Sequence, residues 1–541
     1  MWEIEKQSAN SNNTNTNNNN PSYPNLPSTS PAHRIPKGAW MTLAILGSSI
    51  LITLYGETML LPAIPDIIRD FDISYSTSSW ILTAYLVAGA VMTPIAGKLS
   101  DMYGRKKMII IIMIVYIIGL VAGGFSTNYY FLLVARIIQG IGISMFPIAF
   151  GIVRDQFPRE KLAIGVGLFS SMFAAGSVVG LAVGGAIIQT LGWRATFFSI
   201  IPFAIVLWFI ISRYIRDREE ENLTHREEEG QITTQGRREE EYCIGCGKII
   251  TASKVNTLDI KGAITLAVTI STLLLAITYL GSAGTSNIIG SIEFFGFLAA
   301  AIVSLILFMM IEKKTTSPLI DLKLLSHKII LPANIIIMIF GITMLMVYQT
   351  IPILVQSPQP LGFGGDAITT ANVQLPFMAV FLIFAPSSGF IISKLGSLKP
   401  TIVGTIISTI GFFSLFVFHS TELLIASNLA IIATGLSLMQ VGAFNIVMES
   451  TPRQSSGVSI GMTVVLNIVG SSIGPAIAAV FLQMNQASIN EVSGSFPSAT
   501  SYNLIFLTAA IISLVSIILV IIIRKRMLLE SGMAGIRSNH R

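Results

Sequence analysis

The sequence predicts an all-α integral membrane protein, and three observations carry that prediction. Of its 541 residues, 52% are hydrophobic and only 11% are charged, and the mean hydropathy is strongly positive; soluble domains do not show this balance. Apolar runs of about twenty residues recur along the chain, and that length crosses roughly 30 Å of hydrocarbon as a helix rising about 1.5 Å per residue. The runs lack period-two alternation and are too long for barrel strands, so each backbone must satisfy its own hydrogen bonds as a helix.

About fourteen runs are expected to span, near 40–64, 78–97, 108–125, 130–153, 162–189, 196–212, 262–281, 292–311, 329–356, 368–392, 401–418, 423–447, 458–482 and 503–523. Lys and Arg set the orientation, because short loops rich in them stay on the cytoplasmic side. One set of connections holds Lys98, Arg105, Lys106, Lys107, Arg154, Arg159, Lys161, Lys313, Lys314, Lys323, Lys328, Lys394, Lys399 and Arg453, whereas the alternate set holds little beyond Arg69 and Arg194. Both termini are therefore expected in the cytoplasm of a multi-pass plasma-membrane protein. The net charge of +6 follows from loop charges beside anionic lipid and calls for no nucleic acid.

Outside the spans the chain is sparse. Residues 1–38, rich in Asn, Ser, Thr and Pro, predict a disordered tail. The stretch 213–258 predicts a charged cytoplasmic loop, and 313–328 and 526–541 a connector and a second tail. None of these is large enough to fold as a catalytic domain, so no enzymatic activity is expected. The loop's "GCGK" has Tyr242 and Ile249 where a phosphate-cradling loop needs Gly and Ser or Thr. Cys243 and Cys246 are the only cysteines; a closed metal site needs four ligands, so a pair of reduced thiols is the simpler reading and no metal is expected.

The two halves of the chain are related. "FGIVRDQFPREKLAIGVGLFSSMFAAGSVVGLA" from Phe150 and "FNIVMESTPRQSSGVSIGMTVVLNIVGSSIGPA" from Phe444 align at a constant offset, 444 − 150 = 294. The offset pairs Pro158 with Pro452, Gly167 with Gly461, Gly176 with Gly470 and Gly180 with Gly474. Such duplications frame a substrate site near the membrane midplane. The repeat sets helix 4 against helix 12 and helix 5 against helix 13, so two helices, within 259–312, are inserted between six-helix halves at 39–212 and 329–525.

Several segments then resemble one family. "GKLSDMYGRKK" (97–107), "RIIQGIG" (136–142), "GSVVGLAVGG" (176–185), "GWRATFFSIIPF" (192–203) and "WILTAYLVAGAVMTPIAGKLSD" (80–101) are similar to signatures of the major facilitator superfamily. The resemblance extends to its fourteen-helix drug:proton antiporter branch (EmrB/QacA-like), and "SPLIDLKLL" (317–325) carries it into the second half. It implies the major facilitator fold, with two six-helix bundles plus two inserted helices. It also implies a cytoplasmic gate at Gly97, Asp101, Gly104, Arg105 and Lys106, with Asp101 meeting the N-terminus of the helix that starts near Val458. The glycines are expected to allow a close approach and a tight turn, with Asp101 and Arg105 one helical turn apart. Gly176, Gly180, Gly184 and Gly185, with Gly470, Gly474 and Pro475 in the second copy, are expected to pack helices closely. The family's Pro is Leu181 here, whereas Pro475 is present in the second copy.

Glu57 and Arg136 are the clearest ionisable residues deep within the expected spans. A charge near the bilayer centre costs on the order of 3 kcal/mol by insertion scales and marks a pathway or relay, so helices 1 and 4 are expected to bring the two together. Burial raises a carboxyl pKa and a nearby guanidinium lowers it; a site where these oppose each other can exchange a proton near neutral pH. The family pattern, however, places its acid where this chain has Gly56, one residue and about 100° of helix away from Glu57. Gln139 is expected to add hydrogen bonds, and Tyr55, Tyr85, Met145, Gln349, Gln374 and Asn467 to line a cavity.

Together these readings predict a proton-coupled exporter of hydrophobic or cationic drugs, working by alternating access. Its expected partners are a small-molecule substrate, protons and the lipid bilayer, and its expected unit is a monomer. No cofactor is needed, because a charge crossing about 100 mV yields roughly 2.3 kcal/mol against about 1.4 for a tenfold solute gradient. Two alternatives remain: a transporter of one metabolite or siderophore, and a membrane sensor with a metal- or redox-responsive loop.

Overall fold

A computed structural model describes residues 36–157, 162–215, 259–282, 292–315, 318, 322–451, 456–489 and 492–538. Among them run fourteen long helical rods. In chain order these are α1 (Lys37–Thr58), α2 (Trp80–Tyr103), α3 (Arg105–Gly124), α4 (Tyr129–Gly140 and Met145–Gln156), α5 (Leu162–Leu191), α6 (Arg194–Tyr214) and α7 (Ile260–Ser282). There follow α8 (Ile292–Lys314), α9 (Ile330–Gln356), α10 (Ala367–Leu395), α11 (Leu398–Val417), α12 (Glu422–Ser450), α13 (Ser456–Met484) and α14 (Ala499–Ser538). Twelve are long and apolar enough, by length and composition, to cross a membrane; α5 and α7 contribute shorter described apolar stretches, Ala175–Leu191 and Lys261–Ile277.

Helix boundaries follow local chemistry. Asn128, Asp366 and Thr421 cap α4, α10 and α12 by accepting the backbone N–H three residues on, which satisfies donors the first turn leaves orphaned. Gly104, at φ +94°, makes the turn between α2 and α3. Asp101 and Arg105 therefore stand on two different helices, not one turn apart on one. Two short features lie outside the expected spans. An antiparallel hairpin of β1 (Gln486–Ile489) and β2 (Val492–Pro497) joins α13 to α14, and α14 itself runs past residue 525 to Ser538. The expected segments 1–35, 216–258 with Cys243 and Cys246, Pro158 and Pro452, and the side chain of Asp101 lie outside the described residues.

The packing repeats between halves. In the first, α5 lies on α1 and in the second α13 lies on α9. A Cβ on Gly176 or Gly180 would meet the backbone of Leu51 or Tyr55, and one on Gly470 or Gly474 the backbone of Met338 or Ile342. The met positions are related by one offset (338 − 51 and 342 − 55, both 287), so the duplication read from sequence is a duplication in space. Gly184 extends the first contact, onto the backbone of Met59. Gly185 does something different: its missing Cβ would stand 2.8 Å from Ala371 Cβ of α10, in the other half. The sequence cluster thus serves two interfaces, because positions 184 and 185 point about 100° apart. Both α5 and α13 run unbroken, through Leu181 and Pro475 respectively.

The halves meet along α5 with α10 and along α2 with α13. At the end opposite the termini, called here the far end, Gln356 Nε2 of α9 donates to Pro62 O at 2.7 Å and to Thr370 Oγ1 at 3.1 Å. Trp193 Nε1 also donates to Asp70 at 2.8 Å, and Arg194 pairs with the same carboxylate at 3.2 Å, tying the start of α6 to the short helix Ile64–Phe71 that follows α1. Gly180→Leu, whose Cβ alone would stand 2.7 Å from Tyr55 O, is expected to lower stability by about 1–3 kcal/mol through overpacking. Gly97→Ala, with open space at that position, is expected to be neutral or to stabilise slightly. Thermal unfolding of the purified protein in detergent checks both.

Candidate functional site

A cavity opens between the halves. Its walls come from α1, α2, α4 and α5 on one side and α12 and α13 on the other. Phe146, Phe150, Phe169 and Phe444 dominate it, with Met145 and several Ile, Leu and Val side chains. The polar exceptions are Thr53, Glu57, Gln440, Asn445, Asn467 and Ser471. Glu57 is the single ionisable side chain among the lining residues.

Neighbouring positions on α1 face different ways, and this divides the site in two. Glu57 points into the cavity, whereas Gly56 faces the interior of the first bundle. A Cβ on Gly56 would stand 2.8 Å from Gln139 Nε2 and overlap the hydroxyl of Tyr116, so only glycine admits these side chains so close to α1. Two further glycines seat α4: a Cβ on Gly119 of α3 would meet the backbone of Gln139, and one on Gly140 the backbone of Tyr85. Beyond Gly140 the helix tightens into a 3₁₀ turn, Ile141–Ser144, before resuming at Met145.

Arg136 is fully buried behind the cavity wall. Its Nε donates to Ile81 O at 3.1 Å, and its Nη1 to Gly56 O at 3.0 Å and to Gln139 Oε1 at 2.7 Å. Its guanidinium carbon lies 4.4 Å from the centroid of the Tyr85 ring. Hydrogen bonds to a charged group contribute about 1.5–3 kcal/mol each and a desolvated cation–π contact about 2. Together they offset an insertion cost on the order of 3 kcal/mol, with Glu57 acting on the same cation from beyond hydrogen-bond distance. Arg136 Nη2 and Gln139 Nε2 have no hydrogen-bond partner among the described residues.

The expected pairing is therefore only half realised. Helices α1 and α4 do bring Glu57 and Arg136 together, but the guanidinium binds the backbone of residue 56, and no ion pair joins it to Glu57 among the described residues. The reason is the turn of about 100° between successive helical positions.

Of the expected cavity residues, Met145 and Asn467 line the wall; the others do not. Tyr55 shares a hydrogen bond of 2.8 Å with Ser199 on α6. Tyr85 lies beneath Arg136 and donates to Thr53 O at 3.2 Å. Gln139 is consumed by Arg136, Gln349 is buried on α9, and Gln374 donates to Tyr348 O at 2.5 Å. The side-chain oxygens of Gln349 and Gln374 have no hydrogen-bond partner among the described residues. At the expected gate, Gly97 has open space around its Cβ position, so no close approach occurs there; Arg105 instead lays its guanidinium beside Gly151 of α4.

Sequence reading missed Tyr116, Gln440, Asn445 and the phenylalanines. One signal for the last was available. Phe150 and Phe444, which head the two aligned repeats, both line the cavity.

The Major Facilitator Superfamily profile matches residues 46–475. The chain belongs to the Major Facilitator Superfamily. This superfamily member is a membrane transporter and not an enzyme, and the two bundles around a central cavity are its fold. The chain is 29% identical to "Multidrug resistance protein 3" of Bacillus subtilis (strain 168), over 64% of this chain and 60% of that one. It therefore spans about three fifths of that relative's length. It is 24% identical to the "Tetracenomycin C resistance and export protein" of Streptomyces glaucescens, over 84% and 78% of the two chains. Among solved structures it resembles the human organic anion transporter MFSD10 (TETRAN), with a TM-score of 0.61 at 13% identity, covering 90% of this chain and all of that one; this likeness concerns the fold alone.

Arg136→Met is expected to lower stability by on the order of 3 kcal/mol, because the carbonyls of Gly56 and Ile81 lose their donor. Arg136→Lys is expected to recover only part of that, since one ammonium cannot reproduce the planar fork over Tyr85. Thermal unfolding of both variants checks the order.

Proposed function

We propose that this chain is a proton-coupled exporter of hydrophobic and cationic compounds, of the fourteen-helix drug:proton antiporter kind, working by alternating access in the plasma membrane. The observation that carries the proposal is the placement of Glu57 as the single ionisable group on an otherwise apolar, phenylalanine-rich cavity wall. An acid in that setting attracts a proton or an organic cation, and the two compete for one carboxylate. The aromatic walls suit flat, greasy molecules without demanding a particular shape. An anionic substrate would meet repulsion from Glu57 and no cation on the lining. The names of the relatives, multidrug resistance in one case and tetracenomycin C export in another, favour the same reading.

The end bearing both termini also carries most loop Lys and Arg, which supports a cytoplasmic placement for it. On that orientation the far-end contacts of Gln356 and Gly185 close the outer side. The cavity then reaches toward the inner side, since Phe150, Phe444 and Asn445 lie within two turns of the inner ends of α4 and α12. This is the arrangement in which an exporter loads.

Proteoliposomes with an imposed pH gradient test the proposal. Gradient-driven movement of several unrelated cationic dyes is expected from the wild type, and at least a tenfold loss from Glu57→Gln with dye binding retained. Undiminished transport by Glu57→Gln would overturn the role of that carboxylate.

A further inference from the structure

The inserted pair α7–α8 is not an annex to the periphery. Helix α7 packs against α13 of the second half and against α2 of the first, so it straddles the seam along which the halves must move. At the far end it also touches the short helix Tyr75–Ser78 that precedes α2. Helix α8 packs mainly on α7.

At the near end of this seam, two acids are buried where neither belongs on composition alone. Asp259, immediately before α7, is 8% exposed, and Glu312, in the last turn of α8, is 3% exposed. They face the same spot, the Cβ position that Gly262 lacks: Asp259 Oδ2 lies 2.5 Å and Glu312 Oε1 3.0 Å from it. Asp259 Oδ1 accepts the backbone N–H of Gly262 at 2.8 Å, while its Oδ2 has no hydrogen-bond partner among the described residues. Lys98 stands near the end of α2, the helix of the first half on which α7 packs, within electrostatic range of both carboxyl groups. Other charges nearby point elsewhere: Lys261, Lys313 and Lys314 are exposed, and α13 has no charged residue in 456–484. Two buried acids on the inserted pair thus converge beside the Lys98 end of a helix in the first bundle. Buried charges are retained only where such a partner compensates them.

We propose that Lys98 fastens α2 to the inserted pair, with Asp259 and Glu312 as positioning residues that set where the near end of α2 rests. The proposal rests on the alternating-access reading only for its consequence in transport; the tie itself is a statement about distance. It assigns a purpose to the two extra helices, as a strap across the seam between the halves.

Spin labels at Tyr103→Cys on α2 and Lys314→Cys on α8, both exposed positions, test it in the full chain in liposomes with Cys243 and Cys246 replaced by Ser. Double electron–electron resonance is expected to give one narrow distance distribution for the parent. Lys98→Met and Glu312→Gln are each expected to broaden and shift it, with turnover in dye flux changed at least threefold. The swap Lys98→Glu with Glu312→Lys keeps two acids and one base in the cluster and is expected to restore both readouts. An unchanged distribution in the single variants, or a shift that the swap leaves in place, overturns the proposal. Lys98 is partly exposed, so Lys98→Met keeps the test open should Glu312→Gln fail to fold. Should the parent transport nothing while the distances respond as stated, the tie stands and only the exporter reading falls.

Discussion

A guanidinium bound by backbone carbonyls rather than by a carboxylate, in the buried interior of the first bundle, is the constraint on which the rest of the site depends. Arg136 takes its compensation from two backbone carbonyls, an amide and an aromatic face. Those partners sit on α1, α2 and α4, so one side chain fixes the mutual position of three helices. Its acceptor Gly56 O belongs to a residue whose missing side chain leaves room for Tyr116 and Gln139 beside α1. The consequence for the cavity is direct: with Arg136 bonded behind the wall through Nε and Nη1, the acid at position 57 faces the open space. A side chain one residue earlier would have pointed at Tyr116 and Gln139 instead.

The duplication makes this polar machinery more telling. The halves repeat their packing glycines at fixed offsets, yet 294 residues beyond Arg136 and Gln139 stand Ala430 and Ala433 on α12. At the offset of 287 that relates α1 to α9, Glu57 corresponds to Met344. One half therefore keeps the backbone geometry and drops the charges. That half lends the cavity amides and phenylalanine, in Gln440, Asn445, Asn467 and Phe444. The first supplies the carboxylate. A cavity with all its charge on one wall lets an ion act on one bundle relative to the other, and relative motion of the bundles is what alternating access requires. The inserted pair sits across the same boundary, with its own buried acids turned toward α2.

Much of the scaffold was legible because lipid imposes a simple rule. A segment of about twenty apolar residues has no stable form in hydrocarbon except a helix, so each expected span coincides with a helical rod. The glycine register and the constant offset gave the duplication, since close backbone contacts tolerate no Cβ wherever they occur. The cavity lining was legible only in part. Met145 and Asn467 line it, but Tyr55, Tyr85, Gln139 and Gln374 bond to neighbours within their bundle and Gln349 is buried on α9. Helices apolar on every face carry no amphipathic signal to separate a wall facing the cavity from one facing lipid or another helix.

The sequence by itself determined the membrane class, the order of the long helices, their duplication, and the presence of one acid and one base deep in the first half. These are local properties, set by hydropathy, residue size and spacing along a single chain. Only the tertiary structure decided that Glu57 faces the cavity while Arg136 is bound behind it, that Gly185 serves the seam between halves while Gly184 serves α1, and that α7 bridges both bundles. Each of those outcomes turns on a rotation of about 100° per residue combined with which neighbour lies in that direction, and the neighbour is far away along the chain.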